Sequence, residues 1–281
     1  MIETLTLDAG RAVRTRRAPG PVGDAPPLVL LTAWPQTLRC WDGHWDALAA
    51  RHPLLAIEPP GFGRAPLPTR EVMRPSAQAA AVAEVLDRLG VTQAIVVGPD
   101  VGVPIALRLA QDRPDLVSGL VLFDGPASFP PRVSWEGRVL VRSALARRVA
   151  SIAGVPFALE LVRRGYRRRH PPRAVVFDHL RSVASPRRFA AQLAFVGSYP
   201  TELPAIAARL TEVDVPVLVT WGEQDPFVLP AEGRALSAAL PNATWSPLAG
   251  CGHYAHEDAG TAFTELLVGW VREVAPVGVA A

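Results

Sequence analysis

A mostly parallel α/β core interrupted by a helical insertion is the architecture this chain predicts. Three observations carry the prediction. Short, wholly apolar runs recur along the sequence with room for a helix between them, as strands buried on both faces require. The alternation lapses between residues 127 and 200, where no strand-like run occurs, and it resumes afterwards. The interrupting segment also differs from its flanks in charge, so it reads as a separate unit.

Each element has a local signal. Pro27-Leu28-Val29-Leu30-Leu31 and Leu54-Leu55-Ala56-Ile57 are apolar strand runs, the second closed by Pro59-Pro60-Gly61. Ser76 begins an amphipathic stretch (Ala79, Val82, Val85, Leu86, Leu89) that stops at Gly90, giving a helix with signals at both ends. Ala94-Ile95-Val96-Val97 is the next strand, followed by a turn over Gly98 to Gly102 and a helix through about Arg113. Leu120-Val121-Leu122-Phe123, Val217-Leu218-Val219-Thr220 and Ala243-Thr244-Trp245 are later strands, and a last helix is expected from about Thr261 to Val274. The expected organisation is a core of residues 1–126 and 201–281 with a helical cap at 127–200.

Composition removes several classes of function. The chain has 281 residues, 49% hydrophobic and 20% charged, which suits one large domain or a domain with a sizeable insertion. No internal repeat occurs, and no apolar stretch reaches the ~18 residues of a membrane span. Met1 to Gly10 lacks the basic run and apolar stretch of a signal peptide, so a cytoplasmic protein without a membrane partner is expected. Cys40 and Cys251 are too few for a disulfide framework or a structural zinc site. His44, His52, His170 and His179 lack metal-ligand spacing, so neither a metal nor a cofactor is expected. All 29 basic residues are arginines, which excludes a Schiff-base lysine, a pyridoxal lysine and a phosphate-loop lysine.

The charge is unevenly placed. Residues 127–200 hold fourteen arginines against Glu136, Glu160 and Asp178, a balance of +11, while the remainder carries −8. The segment has no glycine-rich or aromatic-basic pattern of a nucleic-acid module, so no nucleic-acid partner is expected. Two readings follow: a solvated arginine-rich surface, or an electropositive lid for a small substrate that is anionic or delivered on an acidic carrier.

The chemistry-bearing residues occur in three places. Gly98-Pro99-Asp100-Val101-Gly102 joins a buried strand to a helix, with glycines two before and two after the aspartate. That spacing permits a sharp turn with the Asp100 side chain at its apex, a nucleophile elbow with aspartate in the place of serine. Trp221-Gly222-Glu223-Gln224-Asp225-Pro226 puts an acid in the loop after a strand, and Gly250-Cys251-Gly252-His253-Tyr254 puts a histidine in a glycine-rich loop further on. The order nucleophile, acid, histidine is that of α/β-hydrolases.

On these residues, with Trp34-Pro35-Gln36-Thr37 and Pro60-Gly61-Phe62-Gly63-Arg64, the sequence resembles the α/β-hydrolase fold family over nearly its whole length. Within that family it resembles the epoxide hydrolase and haloalkane dehalogenase branch. The resemblance implies that Asp100 attacks a saturated carbon, that His253 activates water against the resulting ester, and that Asp225 holds the imidazole. It implies an oxyanion hole from the Trp34 and Val101 backbone N–H groups. Residues 127–200 correspond to the family's cap, whose tyrosines protonate the leaving oxygen of an epoxide. Tyr199 stands about where one of these occurs, and Tyr166 is the second candidate.

The sequence departs from the pattern in places. Thr32-Ala33 stands where the family usually has His-Gly, and Pro99 stands where this branch commonly has histidine. Val101 replaces the halide-binding tryptophan of dehalogenases, and Val101 with Pro104 replaces the arginines of fluoroacetate-type enzymes. Epoxide opening to a diol is therefore the expected reaction. A dehalogenase with the same triad and a non-hydrolytic or binding-only member are the alternatives. Asp124, at the end of the preceding strand, is the alternative acid for His253.

Overall fold

The computed structural model describes residues 2–21, 25–68 and 73–274. Its strands are β1 (Ile2–Thr6), β2 (Ala12–Ala18), β3 (Leu28–Leu31), β4 (Leu54–Glu58), β5 (Ala94–Pro99), β6 (Val117–Phe123), β7 (Val217–Gly222) and β8 (Ala243–Leu248). They form one sheet in the order β1-β2-β4-β3-β5-β6-β7-β8. The pairs β1–β2 and β2–β4 are antiparallel, and every pair from β4 onward is parallel. The mostly parallel sheet flanked by helices is the architecture the apolar runs imply.

The helices are α1 (Trp45–Ala49), α2 (Pro75–Arg88), α3 (Gly102–Asp112), α4 (Trp135–Arg142), α5 (Ala144–Ala150), α6 (Gly154–Gly165), α7 (Arg173–Arg181), α8 (Pro186–Gly197), α9 (Tyr199–Ala207), α10 (Pro230–Ala239), α11 (Ala255–Ala259) and α12 (Thr261–Val274). Successive strand side chains point to opposite faces, which splits the core in two. Val29 and Leu31 face α2 and α3 through Val82, Leu86, Ile105 and Leu109. Leu28 and Leu30 face α1 and α12 through Leu48, Phe263, Leu267 and Val271. Helices α4 to α9 all lie between β6 and β7.

The β1–β2 hairpin has no apolar run to announce it. Strand β1 is largely exposed, and β2 reads Ala-Val-Arg-Thr-Arg-Arg-Ala because it stands near the sheet edge. Arg14 on β2 pairs with the fully buried Glu58, whose carboxylate also receives the backbone N–H groups of Leu38 and Arg64. The hairpin thereby helps to fix the loops that follow β3 and β4.

Candidate active site

Asp100 sits between the end of β5 and the start of α3 with φ +46°, a left-handed conformation unusual for a non-glycine residue. The flanking glycines follow from the space available. A Cβ on Gly98 would lie 2.6 Å from the Gly102 carbonyl oxygen. The turn is also backed by Gly125, where a Cβ would come within 2.0 Å of the Asp100 carbonyl oxygen.

The two carboxylate oxygens of Asp100 have different surroundings. Oδ2 receives the Trp34 backbone N–H at 2.8 Å, and the Val101 N–H is a second backbone donor to the carboxyl. Oδ1 lies 3.9 Å from His253 Nε2. Burial raises the Asp100 pKa, against the opposing effects of the His253 charge and the two N–H donors. Thr32-Ala33 therefore leaves the Trp34 donor in place.

His253 Nδ1 is 2.9 Å from Asp225 Oδ2. The other Asp225 oxygen accepts the backbone N–H groups of Phe227 and Val228, which fixes the carboxylate. Burial alone would lower the His253 pKa. The carboxylates of Asp225, Asp100 and Asp124 reverse this, and it is pushed up to about 9. Asp124 is buried with φ +55°, and its oxygens accept the N–H groups of Gly222 at 2.9 Å and Ala255 at 3.2 Å. The structure gives the hydrogen bond to His253 to Asp225, and Asp124 instead ties the neighbouring loops together.

Above this group is an apolar cavity of about 150 Å³. Trp34, Phe157, Leu140, Val141, Phe227 and Tyr199 line it, together with Asp100 and His253. The walls from the inserted helices come mainly from α4 and α6. The Trp34 indole Nε1–H is engaged by Gln192 Oε1 at 2.8 Å, so α8 holds this side chain in place. Further grips on the Trp34 loop are Ser182 Oγ to the Pro35 carbonyl and Thr37 to Asp178 and His179.

The tyrosines fall differently from the expectation. Tyr199 lines the cavity, and burial and the Asp100 charge both raise its pKa. Tyr166 does not line it, and its hydroxyl donates to Glu257 at 2.5 Å and accepts from Gln36. Burial pushes Glu257 up to about 8 despite these contacts. Tyr254 lines the cavity instead, and its buried hydroxyl has no hydrogen-bond partner among the described residues. Its place beside His253 in the Gly252-His253-Tyr254 loop was the sequence signal for it. A Cβ on Gly165 would lie 2.5 Å from the Tyr254 ring, so the end of α6 packs directly on it.

The positive charge does not converge here. Of the fourteen arginines in residues 127–200, only Arg164 lines the cavity, and it is paired with Glu136 at 2.9 Å. Glu160 lines the cavity as well. Arg167, Arg168 and Arg169 donate their backbone N–H groups to Asp258, away from the cavity wall. Among the described residues no group of three or more histidines, cysteines and carboxylates is arranged to hold a metal ion.

An elbow at the carboxyl end of β5, an acid after β7 and a histidine after β8 define the class. Residues 26–260 match the α/β hydrolase fold family, and the chain belongs to that family. It is 28% identical to a 2-hydroxy-6-oxononadienedioate/2-hydroxy-6-oxononatrienedioate hydrolase of Paraburkholderia phymatum, over 81% of this chain and 80% of the relative. It is 27% identical to haloalkane dehalogenase 2 of Mycobacterium tuberculosis, over 84% and 85% of the two chains. Among solved structures, the epoxide hydrolase CorEH superposes with a TM-score of 0.77 over 97% of this chain and 99% of its own, at 19% identity. That likeness is one of fold.

Proposed function

We propose that the protein hydrolyses a small apolar epoxide to a diol through a covalent ester on Asp100. The observation that carries this reading is the divided environment of Asp100: Oδ2 held by the Trp34 backbone N–H, and Oδ1 on the side of His253, in a residue that lines the cavity. In this reaction Oδ1 attacks an epoxide carbon, the C–O bond breaks, and the ring oxygen takes a proton from Tyr199 or Tyr254. A serine at this position would form an ether that water does not cleave, whereas the carboxylate forms an ester with an attackable carbonyl. His253 then takes a proton from water as the water attacks the Asp100 carbonyl carbon. Trp34 and Val101 N–H groups receive the oxyanion, and Asp225 offsets the imidazolium. Collapse of the tetrahedral intermediate then breaks the ester C–O bond, and the departing diol oxygen takes the proton from His253. The Asp100 carboxyl returns its proton to the tyrosinate.

Esterification also prepares the second step. It removes the Asp100 charge, one of the three that raise the His253 pKa. The imidazole therefore becomes easier to deprotonate once the intermediate has formed, which suits a general base acting only on the ester. The substrate's size follows from the cavity, since ~150 Å³ of apolar space holds a molecule of about benzene's dimensions. The inserted segment 127–200 serves as the cap that excludes bulk water.

Two observations favour the epoxide over the halide. Two tyrosines, Tyr199 and Tyr254, line the cavity with Asp100, and the Trp34 indole N–H is already committed to Gln192. The test is intact-protein mass spectrometry of His253→Gln exposed to small epoxides and haloalkanes. A stable adduct on Asp100 from an epoxide that the wild type turns over is the expected result. No adduct from such an epoxide overturns the mechanism. Release of free halide by the wild type, with no diol formed from epoxides, makes the protein a dehalogenase.

A further inference from the structure

The charge of the inserted segment is displayed together with exposed apolar side chains. Eight of the ten large apolar residues that stand exposed among the described residues lie between 127 and 200. Five of them occur on α4, α5 and the 3-10 turn Ser151–Ala153: Trp135, Val139, Leu145, Val149 and Ile152, with Leu145 72% and Ile152 78% exposed. Helices α4 and α5 and this turn all pack against α8. Within α4 the exposed Trp135, Arg138, Val139 and Arg142 recur at helical spacing on one face, as Leu145, Arg148 and Val149 do within α5, and α5 contacts both α4 and the turn.

Arg138, Arg142 and Arg148 are interleaved with these side chains and are also exposed. The segment's acids are already engaged elsewhere, Glu136 by Arg164, Glu160 by Arg163 and Asp178 by Arg64. No carboxylate partner for the three arginines occurs among the described residues. A groove lined by Arg74, Arg147 and Arg148 opens beside the same face.

We propose that the outer face of α4, α5 and residues 151–153 docks on an anionic lipid surface. Exposed tryptophan and aliphatic side chains with flanking arginines are what an interfacial surface needs: apolar groups enter the acyl boundary and guanidinium groups meet the phosphates. A second copy of this chain is a poorer fit, because two-fold pairing of this face would bring like charges together. The docking face and the cavity are one helix apart, since Gly137, Leu140 and Val141 of α4 line the cavity. Apolar substrate dissolved in the bilayer would enter beneath this helix. That delivery role rests on the proposed reaction, whereas docking does not. No described helix is long and apolar enough to cross a membrane, so the contact is peripheral. The proposal departs from the expectation of no membrane partner.

The test is co-flotation of the whole protein with phosphatidylcholine vesicles, with and without phosphatidylglycerol. Binding to the anionic vesicles only, reversed near 1 M salt where the Debye length is ~3 Å, is the expected result. The variant R138Q/R142Q/R148Q should partition roughly 100-fold more weakly, at about fivefold per arginine. W135S/L145S/I152S should also lose binding. Both variants should keep the wild-type thermal midpoint and the turnover of a water-soluble substrate, because all six side chains are exposed and outside the cavity. Absence of flotation overturns the proposal, as does equal binding to neutral vesicles. A dimer in light scattering that W135S/L145S/I152S dissolves would make a second copy the occupant and overturn it too.

Discussion

Asp124 receives the backbone N–H of Gly222 at 2.9 Å, and this contact joins the end of β6 to the loop that carries Asp225. Its other oxygen reaches Ala255, just after His253. A buried carboxyl thus holds the acid loop and the histidine loop in fixed relation without touching the imidazole in a hydrogen bond. The arrangement separates two carboxylates that the sequence presents as rivals.

Asp225→Asn is accordingly expected to lower turnover by about 10⁴-fold, the loss seen when the orienting acid of a serine triad becomes an amide. Asp124→Asn should cost about 1–3 kcal/mol of stability by leaving one buried N–H without an acceptor, and much less turnover. Steady-state rates and urea denaturation of the two variants decide it. The reverse ranking of rates would make Asp124 the acid.

Tyrosine substitutions address the proton donor. If the proposed reaction holds, the Phe variant of whichever of Tyr199 and Tyr254 donates the proton should slow epoxide opening by about 10²-fold or more, the usual worth of a positioned acid, and the double variant should lose at least as much. Tyr166→Phe should leave the rate nearly unchanged, since its hydroxyl is bound to Glu257 rather than turned to the cavity. Single-turnover formation of the Asp100 ester is the measurement, and a dominant effect of Tyr166→Phe would exclude this assignment.

The buried histidines should favour a stability maximum near neutral pH, opposed in acid by Glu257, whose raised pKa adds stability as pH falls from about 8 towards 4.5. Burial holds His44 and His179 at about 4, below the ordinary 6.5. The unfolded chain therefore takes up their protons first as pH falls. Their contribution is complete above pH 6.5 and is lost progressively towards pH 4, by on the order of 3 kcal/mol each. His253 behaves oppositely: raised to about 9, it contributes fully below pH 6.5 and loses this as pH rises towards 9. Urea midpoints across this range should trace both limbs. Because Glu257 opposes the acid limb, His179→Gln is the comparison, and a midpoint that falls as steeply into acid in this variant as in the wild type contradicts a buried neutral His179.

Glycine substitutions separate site geometry from general tolerance. A Cβ on Gly222 would lie 1.9 Å from the Gly252 carbonyl oxygen, wedging apart the loops of Asp225 and His253. Gly222→Ala should cost about 1–3 kcal/mol or more and most of the activity. Gly269 in α12 has open space at its Cβ, so Gly269→Ala should stabilise by about 0.5–1 kcal/mol with activity intact. Thermal denaturation with parallel rate assays checks both, and wild-type activity in Gly222→Ala would show that the loops separate without harm.

The sequence by itself determined the sheet core from β3 onward, the elbow, and the loops of Asp225 and His253. These features are local: apolar runs, glycines at fixed offsets, an acid and a histidine each at the end of its own strand. It said nothing of β1 and β2, because edge strands are half solvated and β2 carries arginines instead of an apolar run. Only the tertiary structure decided which carboxylate meets His253, since Asp124 and Asp225 end adjacent strands and differ in where their oxygens point. Tertiary packing also decided the tyrosines: the hydroxyl of Tyr166 is bound to Glu257, while Tyr254, one residue past His253, lines the cavity and its hydroxyl has no partner among the described residues. The charge count located an electropositive segment but not its direction. Helix rotation set that, burying α4's Val141 against the cavity while Arg138 and Arg142 face outward. Spacing along a chain fixes which residues share a loop or a helix face, and contacts between distant segments fix what each face meets.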